Sequence, residues 1–193
     1  VRTFGRIAVY CASSTKTVAK YGDLARSVGR GLAERGIGVV YGGGSVGLMG
    51  CVADAALEAG GEVIGVIPDK LMELELGHPG CQLEVVDSMH TRKLRMAELS
   101  DGFLALPGGW GTWEELFEVV TWTQLGYHHK PCAVIDAHDY YAPLAAMVAN
   151  AHAEGFVRPM LRELLTFHTD LDGALQAMAT ADLPDIERWI DQV

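Results

Sequence analysis

The sequence predicts a single α/β domain spanning residues 1–193, with a doubly wound parallel sheet flanked by helices. Three observations predict it. Short apolar runs recur along the chain, continuous rather than alternating, as strands covered on both faces require. Segments with apolar residues at helical spacing separate them. Glycine-rich exits follow two of the runs and lead into helices, as in sheets that bind ligands at their C-terminal edge.

In chain order, Ile7-Ala-Val-Tyr-Cys11 is the first strand, followed by the polar turn Ala12-Ser-Ser-Thr-Lys16. Tyr21, Leu24, Ala25, Val28 and Leu32 then keep helical spacing until Gly36. Ile37-Gly-Val-Val-Tyr41 is a second strand, its exit is Gly42-Gly-Gly-Ser-Val-Gly-Leu-Met-Gly50, and a helix runs through Ala53-Asp-Ala-Ala-Leu57. Val63-Ile-Gly-Val-Ile67 is a third strand, closed by Pro68. Residues 69–80 show no clean period and read as a loop over the C-terminal edge of the sheet. Leu83-Glu-Val-Val86 is a short strand and residues 88–99 a helix. Phe103-Leu-Ala-Leu106 leads into Pro107-Gly-Gly-Trp-Gly-Thr-Trp-Glu-Glu115, and a helical pattern continues to Leu125. Cys132-Ala-Val-Ile135 is a strand, residues 140–154 a helix, and Leu164-Leu-Thr-Phe167 a last strand. Asp170 caps a helix through Leu175 and Met178, and a tail with Ile186, Trp189 and Ile190 finishes the chain.

Composition excludes several classes. A net charge of −10 argues against a nucleic-acid backbone as partner. The lack of any run of about 18 apolar residues argues against a membrane span. The first residues pass almost directly into a strand, without a secretory signal pattern. Cys11, Cys51, Cys81 and Cys132 form no CxxC pair, which suits reduced thiols in the cytoplasm. His90 and His128-His129 lack metal-ligand spacing, so no metal is expected; no cofactor is expected either.

Residues 107–115 carry the strongest chemical signal. A strand, a glycine turn and a helix start present backbone N–H groups and a partial positive charge to an anion. Thr112 is expected to cap the helix and to offer its hydroxyl to the same anion. Glu114 and Glu115 fall in the first turn, where helix-dipole complementarity is the ordinary explanation; beside a phosphate cradle, a carboxylate points instead to chemistry. Gly42, Gly44 and Gly47 formally complete G-x-G-x-x-G, with Asp69 after the next strand, but the motif follows the second strand and no Walker lysine accompanies it. Close helix packing explains such glycines equally; the second glycine loop and the Ser13-Ser14 turn, opening on the same edge, favour a small phosphorylated ligand. Arg92, Lys93 and Arg95 are solvated charges unless their helix faces the glycine loops.

Taken together, Gly42-Gly-Gly-Ser-Val-Gly-Leu-Met-Gly50, Met89-His-Thr-Arg-Lys93 and Pro107-Gly-Gly-Trp-Gly-Thr-Trp-Glu-Glu115 resemble three motifs of the Lonely Guy family, over about residues 7–167. These are cytokinin-activating phosphoribohydrolases, often labelled lysine decarboxylases. The resemblance implies a Rossmann-like homodimer, in some members a larger assembly, that hydrolyses the N-glycosidic bond of a nucleoside 5′-monophosphate to free base and ribose 5-phosphate. It implies Glu115, Arg92 and Glu75 as catalytic residues. Glu75, Arg92, Lys93, Gly108, Gly109, Trp110, Gly111, Thr112, Trp113, Glu114, Glu115, Thr121, Ser14, Gly43 and Gly44 would contact substrate. Two departures stand out: Cys11-Ala-Ser-Ser14 replaces the family's usual Cys-Gly-Ser-Ser, and the stretch from Gly77 to Cys81 is slightly short, which bears on base selectivity. The rival from another class is a non-catalytic nucleotide or cofactor carrier on the same fold. A dehydrogenase rests on the glycine motif alone. A decarboxylase would need a Schiff-base lysine, and no motif marks Lys70, Lys93 or Lys130 for that role.

Overall fold

A computed structural model of the chain describes residues 1–73 and 77–183. Glu75 and the tail residues Ile186, Trp189 and Ile190 lie outside the described residues.

Seven strands form one parallel sheet: β1 (Arg6–Tyr10), β2 (Gly38–Tyr41), β3 (Val63–Pro68), β4 (Gln82–Val86), β5 (Gly102–Ala105), β6 (Cys132–Ile135) and β7 (Thr166–His168). Their spatial order is β4-β3-β2-β1-β5-β6-β7. The chain winds outward from β1 to β4, then returns to the other side of β1 and winds outward again. The reversal falls between β1 and β5, which pair directly (Tyr10 opposite Ala105). A crevice opens at such a switch point because the connections leave in opposite directions.

Side chains alternate along β1 and divide the core into two layers. Ile7, Val9 and Cys11 pack with residues of α1 (Val18–Glu34), α2 (Gly47–Glu58) and α7 (Leu171–Thr180). Ala8 and Tyr10 face the opposite layer, with residues of α4 (Met89–Leu99), α5 (Trp110–Gln124) and α6 (Ala142–Ala153). The continuous apolar runs are thus buried on both faces, for the reason they could be recognised.

Several boundaries differ from expectation. Residues 69–80 are not all loop: Asp69–Glu73 form the short helix α3. The last strand begins at Thr166 because a 3-10 turn, Pro159–Leu164, occupies the preceding residues and buries Leu161 and Leu164. Helix α2 begins at Gly47, six residues before the apolar periodicity becomes legible at Ala53.

Candidate active site

The exits of β1 and β5 run side by side. Leu106 N–H donates to the Tyr10 carbonyl at 2.9 Å, and Ala12 N–H donates to the Pro107 carbonyl at 3.3 Å. Two tyrosines from the start of the α6 segment fix the second exit: Tyr141 donates its hydroxyl to the Leu106 carbonyl at 2.7 Å, and Tyr140 donates to the Gly108 carbonyl.

Helix α5 starts directly at this loop, with Gly109 as its N-cap and Trp113 N–H donating to the Gly109 carbonyl. The first amides of a helix have no intrahelical acceptor. Those of Trp110, Gly111 and Thr112 find none elsewhere among the described residues. Thr112 does not cap the helix, contrary to expectation. It lies inside the first turn, 4% exposed, with its side chain against Gly108, where an added Cβ would stand 2.1 Å from Thr112 Oγ1. Because α5 starts at Trp110, Glu114 and Glu115 belong to its second turn, not its first.

That shift aims Glu115 inward. It is 4% exposed and accepts a hydrogen bond at 2.7 Å from Nη1 of Arg92, itself 6% exposed. Arg92 comes from the first turn of α4, where Ser88 accepts from Thr91 N–H and fixes the helix start. Its Nε donates to the Val66 carbonyl at 3.1 Å, at the C-terminal end of β3. Gly42 leaves room for the guanidinium: a Cβ there would stand 2.1 Å from Nη2. Helix α4 therefore does face a glycine loop, the condition on which its basic cluster becomes a site. Burial pushes the Glu115 carboxyl above the usual carboxylate range, while Arg92 opposes the shift by attraction and hydrogen bonding.

These groups line a cleft of about 260 Å³ with Cys11, Ala12, Ser13, Ser14, Met49, Gly109, Trp110, Gly111 and Thr112. Of the residues implied by motif, Ser14, Arg92, Gly109, Trp110, Gly111, Thr112 and Glu115 converge here. Gly108 packs beneath Thr112. Trp113 turns toward α6 and lines a separate apolar hollow with Phe117, Tyr140 and Leu144. Lys93 is 8% exposed and donates to Glu114 and, at 3.0 Å, to Glu118; neither Lys93 nor Glu114 lines the cleft. Thr121 is exposed and donates its hydroxyl to the Phe117 carbonyl. Gly43 packs on Ile67, and Gly44 bridges to Gly77. Arg95 pairs with Glu84 and Glu98 at the surface, the ordinary fate of such a cation.

Sequence reasoning missed Cys11 and Met49 as lining residues and Tyr140 and Tyr141 as supports of the loop. Met49 could have been found had Gly47 been recognised as a helix start, which puts Met49 in the first turn. A larger hollow, about 580 Å³, lies between α1 and the start of α7, but its cations are already paired: Arg26 with Asp23, Arg30 with Glu58, Arg35 with Asp172. Among the described residues no group of three His, Cys, Asp or Glu could hold a metal ion, and no helix is long and apolar enough to cross a membrane.

Residues 49–178 match the family model described as "Possible lysine decarboxylase". A cytokinin riboside 5′-monophosphate phosphoribohydrolase of Rhodococcoides fascians is 46% identical over 174 residues, covering 89% of this chain and 88% of the relative. Enzymes of the same name from Oryza sativa subsp. japonica and Arabidopsis thaliana are each 47% identical over 163 residues, 84% of this chain, covering 67% and 76% of their own lengths. Among solved structures, the molybdenum cofactor carrier protein of Chlamydomonas reinhardtii superposes with a TM-score of 0.67 over 98% of this chain and 100% of that one. At 19% identity this likeness concerns the fold alone. The motif pattern and the close relatives agree: the chain belongs to the Lonely Guy family of phosphoribohydrolases.

Proposed function

We propose that this protein hydrolyses the N-glycosidic bond of cytokinin riboside 5′-monophosphates, releasing the free base and ribose 5-phosphate. One observation carries the reading: a buried carboxylate, Glu115, held by Arg92, shares a cleft with the unmet amides of α5. The names of the relatives support the substrate class. The amides of Trp110, Gly111 and Thr112 hold the 5′-phosphate, aided by the helix dipole. Breaking the ribosyl C–N bond builds positive charge at the anomeric carbon, which Glu115 stabilises as a carboxylate. The same carboxylate takes the proton of the attacking water, and its raised proton affinity makes it a better base near neutrality. Arg92 orients it. Glu75 enters this scheme by motif alone, binding the ribose hydroxyls or sharing the role of Glu115.

The label of the family model fits this cleft poorly. No lysine lines it; Lys93 is engaged by two carboxylates, Lys70 is exposed on α3, and Lys130 donates its amine to the Ala97 carbonyl. A non-catalytic carrier would have no use for a buried carboxylate with a raised proton affinity. The protein is also proposed to act as a homodimer in the cytoplasm. Trp110 and Phe117 are exposed apolar residues of α5 and Leu125 is another at its C-cap, and Thr121 lies exposed between Phe117 and Leu125. Any contact of Thr121 with substrate would thus be to the ligand of a second protomer. Light scattering of the purified protein tests this; a monomer at working concentration rejects it.

The deciding experiment is product analysis with isopentenyladenosine monophosphate and AMP in parallel. Free base with ribose 5-phosphate is expected, and the ratio of rates gives the base preference. Binding of both nucleotides without cleavage would move the carrier reading ahead. Glu115→Gln keeps the shape of the side chain and removes its charge; turnover falls on the order of 10² to 10⁴-fold, and undiminished turnover in a folded variant removes Glu115 from the mechanism.

A further inference from the structure

Behind the cleft, two successive cations of α4 meet three carboxylates of α5. Arg92 binds Glu115, while Lys93 donates to both Glu114 and Glu118. Among the described residues, the hydrogen bonds between these two helices come from Arg92 and Lys93. Glu114 and Glu118 are four residues apart and share one face of α5. Glu115 projects about 100° round the helix from Glu114. The lysine therefore grips α5 at two points that bracket the reacting carboxylate. It does so from the interior, 8% exposed, without lining the cleft.

The grip is under electrostatic demand. Glu118 keeps Oε2 buried and without a hydrogen-bond donor among the described residues, so Lys93 is the charge that permits its burial. Burial pulls the Lys93 amine downward, but its hydrogen bonds to Glu114 and Glu118 outweigh this and leave it above its ordinary value. Lys93 stays a cation throughout the range in which Glu115 titrates.

We infer that Lys93 is a positioning residue for the hydrolysis: by binding Glu114 and Glu118 it fixes the second and third turns of α5 against α4, and so sets where Glu115 meets Arg92. The inference rests on the reading of Glu115 as the reacting carboxylate. The groups that face Glu115 are Arg92 and Lys93 from α4, Glu114 from its own helix, Tyr10 from the end of β1 and Cys11 just beyond it. Burial pushes both the Tyr10 hydroxyl and the Cys11 thiol up, so they stay neutral. Loss of Lys93 leaves one cation among three carboxylates, and the Glu115 proton is then held more tightly.

The test compares Lys93→Met, Lys93→Arg and Glu118→Gln with the parent protein. Two readouts are followed: the pH dependence of kcat and KM for isopentenyladenosine monophosphate, and the titration of Glu115 by carboxyl ¹³C NMR without substrate. Lys93→Met is expected to lower kcat on the order of 10²-fold, the cost of a misplaced catalytic group, with KM little changed. The acidic limb of its kcat profile and the NMR titration both move to higher pH. Lys93→Arg restores the limb. Glu118→Gln, a milder change at a side chain 24% exposed, weakens one of the two anchors and is expected to lower kcat less than Lys93→Met does, with KM little changed. A raised KM with an unmoved limb would make Lys93 a substrate ligand and overturn the inference. An unchanged kcat in Glu118→Gln overturns it even if Lys93→Met does not fold. Failure of the parent protein to cleave any nucleotide defeats the proposed function instead, and the NMR titration still decides the role of Lys93.

Discussion

Residues 42–50 and 107–112 look alike in sequence: each follows a buried parallel strand, is rich in glycine and opens a helix. In the structure they do opposite things. The first loop uses its glycines and amides on the chain itself. At Gly47 the backbone has φ +66°, and a Cβ would stand 2.4 Å from the Ser13 carbonyl carbon; Leu48 and Met49 N–H both donate to the Ala12 carbonyl. This helix start has little left for an external anion. At the second loop, a Cβ added at Gly109 or Gly111 would meet nothing within 4 Å, and the first amides of α5 are unmet. At Gly42, Gly47 and Gly108 glycine allows a close approach of the chain to itself, whereas at Gly109 and Gly111 it leaves the surface of the cleft open. The loops still cooperate, since the first pulls the Ala12–Ser14 turn into place and leaves room for Arg92 beside Glu115.

Substituting Gly47 by alanine gives the largest effect that sharpens this contrast. The positive φ alone costs about 1–2 kcal/mol, and the encounter with the Ser13 backbone adds to it. A total of about 3 kcal/mol lowers Tm by roughly 6–12 °C for a chain of this size. Calorimetry or thermal circular dichroism reads it, and an unchanged Tm would show that the first loop does not depend on that approach.

Gly111→Ala comes next and should separate stability from activity. Gly111 is helical and its Cβ position is open, so alanine gains helix propensity, about 0.5 kcal/mol or a little more. The same methyl group intrudes on the surface that is to hold the phosphate, and a misfit of one methylene costs roughly 10 to 200-fold in kcat/KM. A variant with a raised Tm and lowered kcat/KM supports the division between the loops. Full activity would mean that the open space at α5 is not where the phosphate sits.

Much of this arrangement was legible in the sequence, and the limits have physical causes. Parallel strands covered on both faces are continuous apolar runs, so β1, β2, β3, β5 and β6 could be placed within a residue or two. Helix starts were harder. Glycine is a poor helix former, and Gly47 and Gly50 within α2 made its first turn read as loop. Thr112 is a good cap by type, yet Gly109 performs that task because the tight turn precedes it. In the site, the residues of the motifs were visible, but their division of labour was not. Adjacent Arg92 and Lys93 differ by their angle around α4, and only the placement of α5 decides that one meets Glu115 while the other meets Glu114 and Glu118. Cys11 and Met49 read as core because apolar cleft walls and cores share a composition.

The smallest expected effect is the most direct attempt to break the comparison. Gly44 is the middle glycine of the G-x-G-x-x-G match, and a phosphate loop of that type would require it. Its φ lies outside the left-handed region, and an added Cβ would meet only Met49 Sδ, at 3.4 Å, an ordinary contact. Its bridge to Gly77 is made by backbone and survives the change. Gly44→Ala is therefore expected to alter stability by no more than about 0.5 kcal/mol and to leave kcat/KM for isopentenyladenosine monophosphate within about twofold, a difference of roughly 0.4 kcal/mol. If kcat/KM instead fell as far as in Gly111→Ala while Tm held, the first loop would be touching the nucleotide as well. The phosphate would then lie between two helix N-termini, and the assignment of α5 as its sole cradle would give way.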